Sequence, residues 1–292
     1  MNRTPLRYPG GKQKLTPFVQ EILECNQING HYAEPYAGGA GVALELLLNK
    51  KVKFVHLNDS DIRIYAFWHA VKNENELLCK KIASASLTIE EWKFRREVLK
   101  EPLNYDLFEV GFSTFYMNRC NRSGVLKAGI IGGLNQDGNY KMDARFSIND
   151  LIRRIELIGL YGDNIIISNL DAEYYIENYI PNIDNNCLIY FDPPYFNKAK
   201  DLYLNSYLPD DHKRLAMSIQ ENVKKHWILS YDNVPEITSI YKNRRNFKYN
   251  LQYSAARSYK GREIFIFCDN LKLPKSCGLK FIDSELKELI EK

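Results

Sequence analysis

Apolar residues recur at helical spacing over 14–25, where Leu15, Phe18, Val19, Ile22 and Leu23 share one face. A short strand over about 32–37 then runs into Gly38-Gly39-Ala40-Gly41. Residues 42–49 return to helical spacing, and 53–57 read as a second strand ending at Asn58-Asp59. This pattern predicts a β-α-β unit whose first turn is rich in glycine. From about Ile62 to Arg145 the alternation stops. Helical patterns at 89–99 and 105–117 lead there into a Gly- and Asn-rich loop over 118–139, and the whole stretch reads as an insert. The alternation then resumes with a helix over 148–160, a strand over 164–168 and a strand over 187–191 that ends in Asp-Pro-Pro-Tyr. A helix over 209–223 and a strand over 226–231 follow, and the runs 247–253 and 263–268 are expected to close the sheet as an antiparallel pair. The expected architecture is an α/β open sheet of residues 1–61 and 146–292, interrupted by a mostly helical insert, 62–145. In such sheets ligands bind at the carboxyl ends of strands. That places the chemistry after Tyr36, Leu57, Ser168 and Phe191.

Composition narrows the class. With 292 residues, 45% of them hydrophobic and 26% charged, the chain can bury a large core. It has no apolar run of membrane-spanning length and no basic-then-apolar leader, so a cytoplasmic protein with no membrane partner is expected. None of the six cysteines forms a Cys-x-x-Cys pair, and the five histidines lack metal-ligand spacing. Reduced, buried thiols and no metal site are therefore expected. The net charge of +4 points mildly toward a polyanionic partner.

Two turns carry candidate chemistry. In Glu34-Pro35-Tyr36-Ala37-Gly38-Gly39-Ala40-Gly41 the glycines let the backbone bend sharply and approach a ligand. Asp59 lies 18 residues past Gly41, where a carboxylate meets ribose hydroxyls in nucleotide-type cofactors. Leu44 replaces the third glycine of the dinucleotide fingerprint, and no Lys-Ser/Thr pair serves a triphosphate. A nucleoside cofactor without pyrophosphate fits better. Taken alone, this turn equally suits tight packing.

The second turn is Asp192-Pro193-Pro194-Tyr195. Two prolines stiffen it and remove two N–H donors. The Asp192 carboxylate and the Pro193 carbonyl are therefore expected to lack local donors, with the flat ring of Tyr195 beside them. Such a site suits a planar amino group, whose two hydrogens would be held while the ring stacks on its base. Alone, it could also be a structural turn at a strand end.

Together these motifs resemble the Dam-type DNA adenine methyltransferases, of the alpha group by motif order. Arg7-Tyr8-Pro9-Gly10-Gly11-Lys12 is similar to the family's opening motif, Leu57-Asn58-Asp59 to its ribose motif, and Asp192 to Tyr195 to its catalytic motif. Leu229-Ser230-Tyr231-Asp232-Asn233 and Arg262-Glu263-Ile264-Phe265-Ile266 look like later sheet motifs. Arg7-Tyr8 stands where relatives often have Lys-Trp, Tyr36 where they commonly have Phe, and Gly38-Gly39 where many carry a bulkier first residue. The resemblance implies a Rossmann-like fold that uses S-adenosylmethionine to methylate the exocyclic amine of a flipped adenine in double-stranded DNA. It implies cofactor contacts from Tyr8, Lys12, Glu34, Pro35, Tyr36, Gly38, Gly39, Gly41, Asp59, Asp171 and Asp192. Read from the residues alone, Lys12 also fits a solvated lysine, and Asp59 and Asp171 also fit helix caps.

In the family the insert recognises the DNA target. Here Asn118, Arg119, Asn121, Arg122, Lys127, Lys141 and Arg145 mix amides and cations able to read bases and hold phosphates, and five glycines lie between Ser123 and Lys141. Arg244, Arg245 and Lys248 form a second candidate patch, with plain surface as the equal alternative. Phe196 and Tyr207 are weaker candidates for a base pocket, with core packing as the alternative. A monomer is expected, and a cognate restriction endonuclease is a possible partner. The competing functions are RNA or protein-amide methylation, a catalytically silent DNA-binding regulator, and, distantly, a nicotinamide oxidoreductase.

Overall fold

A computed structural model describes residues 3–8, 11–196, 207–254 and 258–290. Pro9 and Gly10 of the opening motif lie outside them. The strands are β1 (His31–Glu34), β2 (Phe54–Asn58), β3 (Ile165–Ser168), β4 (Cys187–Phe191), β5 (His226–Asp232), β6 (Arg245–Ser254) and β7 (Ser258–Phe267). They form one sheet in the order β3-β2-β1-β4-β5-β7-β6. β3, β2, β1, β4 and β5 run parallel, while β7 pairs antiparallel with both β5 and β6, as the pattern predicted. Every residue of β4 is buried, as befits a central strand covered on both faces.

The chain starts at the middle of the sheet, winds outward through β2 and β3, then returns to lay β4 beside β1 with His31 opposite Cys187. Strand order reverses between β1 and β4. The carboxyl ends of those two strands therefore flank the crevice where open α/β sheets bind ligands.

A 3-10 turn (Lys12–Leu15) leads into α1 (Thr16–Cys25), with Pro17 in the first helical turn. Its apolar face is buried, and Phe18 packs on Phe265 at 5.1 Å and Phe247 at 5.8 Å. α2 (Gly41–Leu48) leaves the glycine turn. Residues 62–145 hold α3 (Ile62–Asn73), α4 (Asn75–Ala83), α5 (Ile89–Lys100) and α6 (Leu107–Cys120), capped by Asp61, Thr88 and Asp106 at α3, α5 and α6. α3 and α6 touch at Gly111, where a Cβ would stand 2.5 Å from the Ala66 carbonyl oxygen. α6 continues through Asn118 and Arg119 to Cys120, so the expected loop opens at Asn121, three residues later than the composition suggested. α7 (Ile148–Gly159) packs on α4 and α3. A short α8 (Ala172–Tyr174) follows β3, then α9 (Pro209–Asn222), α10 (Pro235–Ile240) and α11 (Lys280–Ile290). No helix among the described residues is long and apolar enough to cross a membrane.

Candidate active site

The glycine turn is pinned from below and from the side. Gly38 and Ala40 adopt left-handed backbone, φ +45° and +48°. Only glycine fits at 38, because a Cβ there would lie 2.6 Å from the ring of Tyr8. A Cβ on Gly39 would meet Tyr8 at 2.9 Å, so the aromatic ring lies directly on this turn. Glu34 points beneath it, and its Oε1 accepts from Ala43 N and Tyr32 Oη, both at 3.1 Å. Burial pushes its carboxyl up to about 8. Asp59 Oδ2 accepts from Gly38 N at 2.9 Å, and its Oδ1 from Asp61 N at 3.0 Å. Burial, then the neighbouring Asp61, raises Asp59 from 3.8 to about 7.

Asn58 ties three strand ends together. Its Nδ2 donates to the carbonyls of Pro35 at 3.1 Å and Leu170 at 3.0 Å, while its Oδ1 accepts from Ser168 Oγ at 2.8 Å and Leu170 N at 3.0 Å. From sequence this residue was read only as part of the Leu57-Asn58-Asp59 motif; the structure shows it fully buried at the join. Gly41 starts α2 against Gln13. Asp171 is exposed beyond β3, and its Oδ1 caps the first turn of α8 through Glu173 N and Tyr174 N at 2.9 and 3.3 Å.

At the end of β4 the expectation of donor-free acceptors is corrected. Asp192 Oδ1 takes Lys12 Nζ at 3.0 Å and Ser230 Oγ at 2.7 Å, and Tyr190 Oη donates to Ser230 Oγ at 3.0 Å. The prolines remove backbone donors, but side chains from the N-terminal turn and from β5 supply others. Both contacts fall on one oxygen; among the described residues none reaches Oδ2. Lys12 is 6% exposed and so is not a solvated lysine. It donates to Tyr195 Oη at 2.6 Å and sits 4.9 Å from the centre of that ring. Tyr195 is itself 7% exposed, with Lys12 at the hydroxyl end of its ring. Tyr195 Oη donates to Glu263 Oε1, and Tyr249 Oη donates to Glu263 Oε2. Ser230 and Glu263 were read from sequence only as parts of sheet motifs, and Tyr249 was not singled out; the mark of Ser230 is a hydroxyl inside the apolar run Trp227–Tyr231.

Phe196 N donates to Asp232 Oδ1 at 2.9 Å, and its ring packs on His212 at 4.9 Å. The Tyr207 and Tyr36 hydroxyls are 2.9 Å apart, joining the segment before α9 to the glycine turn.

The residues expected at DNA separate into two groups. Asn118 and Asn121 are buried, which corrects their expected role at DNA. Asn118 pairs with both backbone groups of Arg7, accepting from its N at 2.7 Å and donating to its O at 2.8 Å, and also donates to Gly124 O at 2.9 Å. Asn121 accepts from Trp92 Nε1 at 2.8 Å and donates to Val125 O and Leu126 O. Arg119 is half-buried, bound to Arg145 O at 2.6 Å and Pro5 O at 3.2 Å, and burial lowers it to about 10. Arg122, Lys127, Lys141 and Arg145 are exposed, as are Leu134 and Tyr140 in the same loop. The second candidate patch is partly tied to its own neighbours. Arg245 Nη2 holds the carbonyls of Cys268, Asp269 and Leu271, and Arg244 pairs with Asp269, leaving Lys248 exposed. All six cysteines are free, five of them buried.

A glycine floor under an aromatic ring, a carboxylate at the next strand end and a lysine-bound acidic turn fit a nucleoside carrying an amino acid. With strand order reversing between β1 and β4, fold and site together define an S-adenosylmethionine-dependent methyltransferase. The D12 class N6 adenine-specific DNA methyltransferases match residues 8–256, and the chain belongs to that family. It is similar to the type II methyltransferase M.MjaIII of Methanocaldococcus jannaschii, 25% identical over 236 residues, 72% of this chain and 77% of that protein. It is also similar to the modification methylase StsI of Streptococcus sanguinis, 25% identical over 66% of this chain and 28% of that protein. The type II methyltransferase M1.LlaDCHI of Lactococcus lactis subsp. cremoris is 23% identical over 69% of this chain and 68% of that protein. Among solved structures, the rRNA methyltransferase aviRa from Streptomyces viridochromogenes aligns with 85% of this chain and 82% of its own, at 10% identity and a TM-score of 0.32. The chain is thus an adenine-specific DNA methyltransferase using S-adenosylmethionine, and the RNA, protein-amide, silent-regulator and oxidoreductase alternatives fall away.

Proposed function

We propose that Asp192, Pro193, Pro194 and Tyr195 carry the methyl transfer, and that residues 62–145 choose the DNA target. The observation that carries this reading is the Lys12–Asp192 pair, 3.0 Å apart at the strand-order reversal. Lys12 and Ser230 load one carboxylate oxygen and fix its plane. The other oxygen, with the Pro193 carbonyl, would take the two hydrogens of a planar amine. Held out of the ring plane, that amine regains lone-pair density on nitrogen, which is preorganisation without a strong base. Tyr195, with Phe196 and Tyr207 nearby, would wall the flipped adenine, whose extrusion costs roughly a few kcal/mol. Bound S-adenosylmethionine supplies the electrophilic methyl group. Tyr8, the Gly38-Gly39-Gly41 backbone, Glu34 to Tyr36, Asp59 and Asp171 would hold it, with Lys12 near its carboxylate. Exposed Arg122, Lys127, Lys141 and Arg145 would contact double-stranded DNA.

The type II and modification names of its relatives support a partnership with a cognate restriction endonuclease. We place the enzyme in the cytoplasm as a monomer. Asp192→Ala is expected to lower turnover by about a hundredfold or more with folding intact, measured as labelled methyl incorporation into adenine-unmethylated DNA. Near-normal turnover would refute the assignment.

A further inference from the structure

Glu263 lies on β7, two strands from the Asp192 turn, and is 1% exposed. Three groups converge on its carboxylate. Tyr195 Oη donates to Oε1, Tyr249 Oη donates to Oε2, and Lys12 Nζ stands 3.7 Å from Oε1. A phenol has one proton, and Tyr195 accepts from Lys12 at 2.6 Å. The direction is therefore fixed: Lys12 to Tyr195 to Glu263, with Tyr249 satisfying the second oxygen. A buried carboxylate persists only where such partners meet it. Here two of the partners belong to the reaction site itself, and they arrive from the N-terminal turn and from the end of β4.

We propose that Glu263 is a positioning residue for methyl transfer: resting on the role of Asp192 given above, it orients the Tyr195 hydroxyl and so holds the Lys12 ammonium against Asp192 Oδ1. Because Lys12 donates to Tyr195, the Tyr195 phenol donates to Glu263 Oε1, so that oxygen carries no proton, while Oε2 faces Tyr249 Oη. Among the described residues, the titratable groups around Glu263 are Lys12, Asp192, Tyr195, Tyr190 on β4 and Tyr249 on β6. Lys12 and the two phenols favour the anion, while burial and Asp192 disfavour it, and the balance lies above the usual carboxylate range. As pH falls Glu263 takes a proton on Oε2, the bond to Tyr249 reverses, and the negative charge that draws the Tyr195 hydroxyl and the Lys12 ammonium is lost.

The test is the kcat–pH profile of the full chain on adenine-unmethylated DNA. Glu263→Gln is expected to lower kcat by about tenfold or more while KM for DNA and for cofactor stays within about twofold. The acid limb of the parent profile should flatten in this variant. Tyr195→Phe keeps the ring, cuts the same chain of donors and should also flatten that limb. It carries the test if circular dichroism shows Glu263→Gln unfolded. An unchanged kcat and limb in Glu263→Gln overturns the proposal. So does a loss of activity in which both KM values rise and the limb stays where it was. If Asp192→Ala is inactive and Glu263→Gln is normal, this inference alone fails; an active Asp192→Ala removes both.

Discussion

At the scale of single residues, Asp59 shows one carboxylate under two demands. It secures the glycine turn through Gly38 N and its own following loop through Asp61 N. Each carboxylate oxygen has a second lone pair, so both can still accept from ribose hydroxyls. Those hydroxyls favour the ionised form, whereas burial favours the protonated form and raises it to about 7. Cofactor affinity should therefore be full above pH 7 and weaken as pH falls below it, by up to about tenfold per pH unit, with a proton released on binding. Calorimetric titration of S-adenosylmethionine between pH 6 and 8, in buffers of different ionisation heat, measures both effects. Asp59→Asn should weaken binding about tenfold or more at pH 8 and flatten the pH dependence. A flat profile in the parent would show that Asp59 does not meet the ribose. The position of this acid was legible from its spacing past the glycines. Its grip on Gly38 was not, because a tertiary bond to a backbone N–H leaves no trace in sequence spacing.

At the scale of elements, hydrophobic periodicity located the strands well, because strands buried on both faces or one face must be apolar at fixed intervals. β4 was read at its observed bounds, and β7 was found antiparallel as expected. The loop after α6 was misread for a physical reason. Asn and Gly signal a turn by their local preferences, yet Asn118 spends its amide on a segment 111 residues away. That pairing makes residues 4–8 a strap. Asn118 grips Arg7, Arg119 holds Pro5 O, and the next residue, Tyr8, lies on Gly38 and Gly39. Asn118→Ala leaves a part-buried N–H and C=O of Arg7 unpaired and should cost roughly 1–3 kcal/mol of stability. It should also weaken cofactor binding through the loosened Tyr8. Gly124→Ala should act alike, since φ is +76° and a Cβ would stand 2.3 Å from Arg7 O. Thermal melts and cofactor titrations of both variants check this; wild-type values in both would show that the strap carries no load.

For the whole molecule, a net charge of +4 is too small to explain DNA affinity, so distribution must do the work. The buried or half-buried members of the basic set, Arg119 and Arg245, are committed to backbone carbonyls, and Arg244 to Asp269. Of the basic residues after α6, Arg122, Lys127, Lys141 and Arg145 face solvent, as do Leu134 and Tyr140. Each cation that neutralises a phosphate releases condensed counterions, so the slope of log K against log salt should be shallower by about 0.9 for each one removed. Lys127→Ala and Arg145→Ala should each reduce the slope by that amount and weaken binding evenly across sequences. Lys248→Ala, on the far strand β6, should leave the slope unchanged. A residue that reads a base edge behaves differently: its loss costs about 1–3 kcal/mol at the cognate site and little elsewhere. Arg122, next to buried Asn121 at the root of the loop, is the candidate to test for that second pattern, by comparing methylated-adenine maps of the parent and Arg122→Ala. If the map broadens while the salt slope holds, the insert reads sequence through Arg122. If the slope falls and the map keeps its motif, Arg122 holds phosphate, and base reading lies elsewhere in residues 62–145.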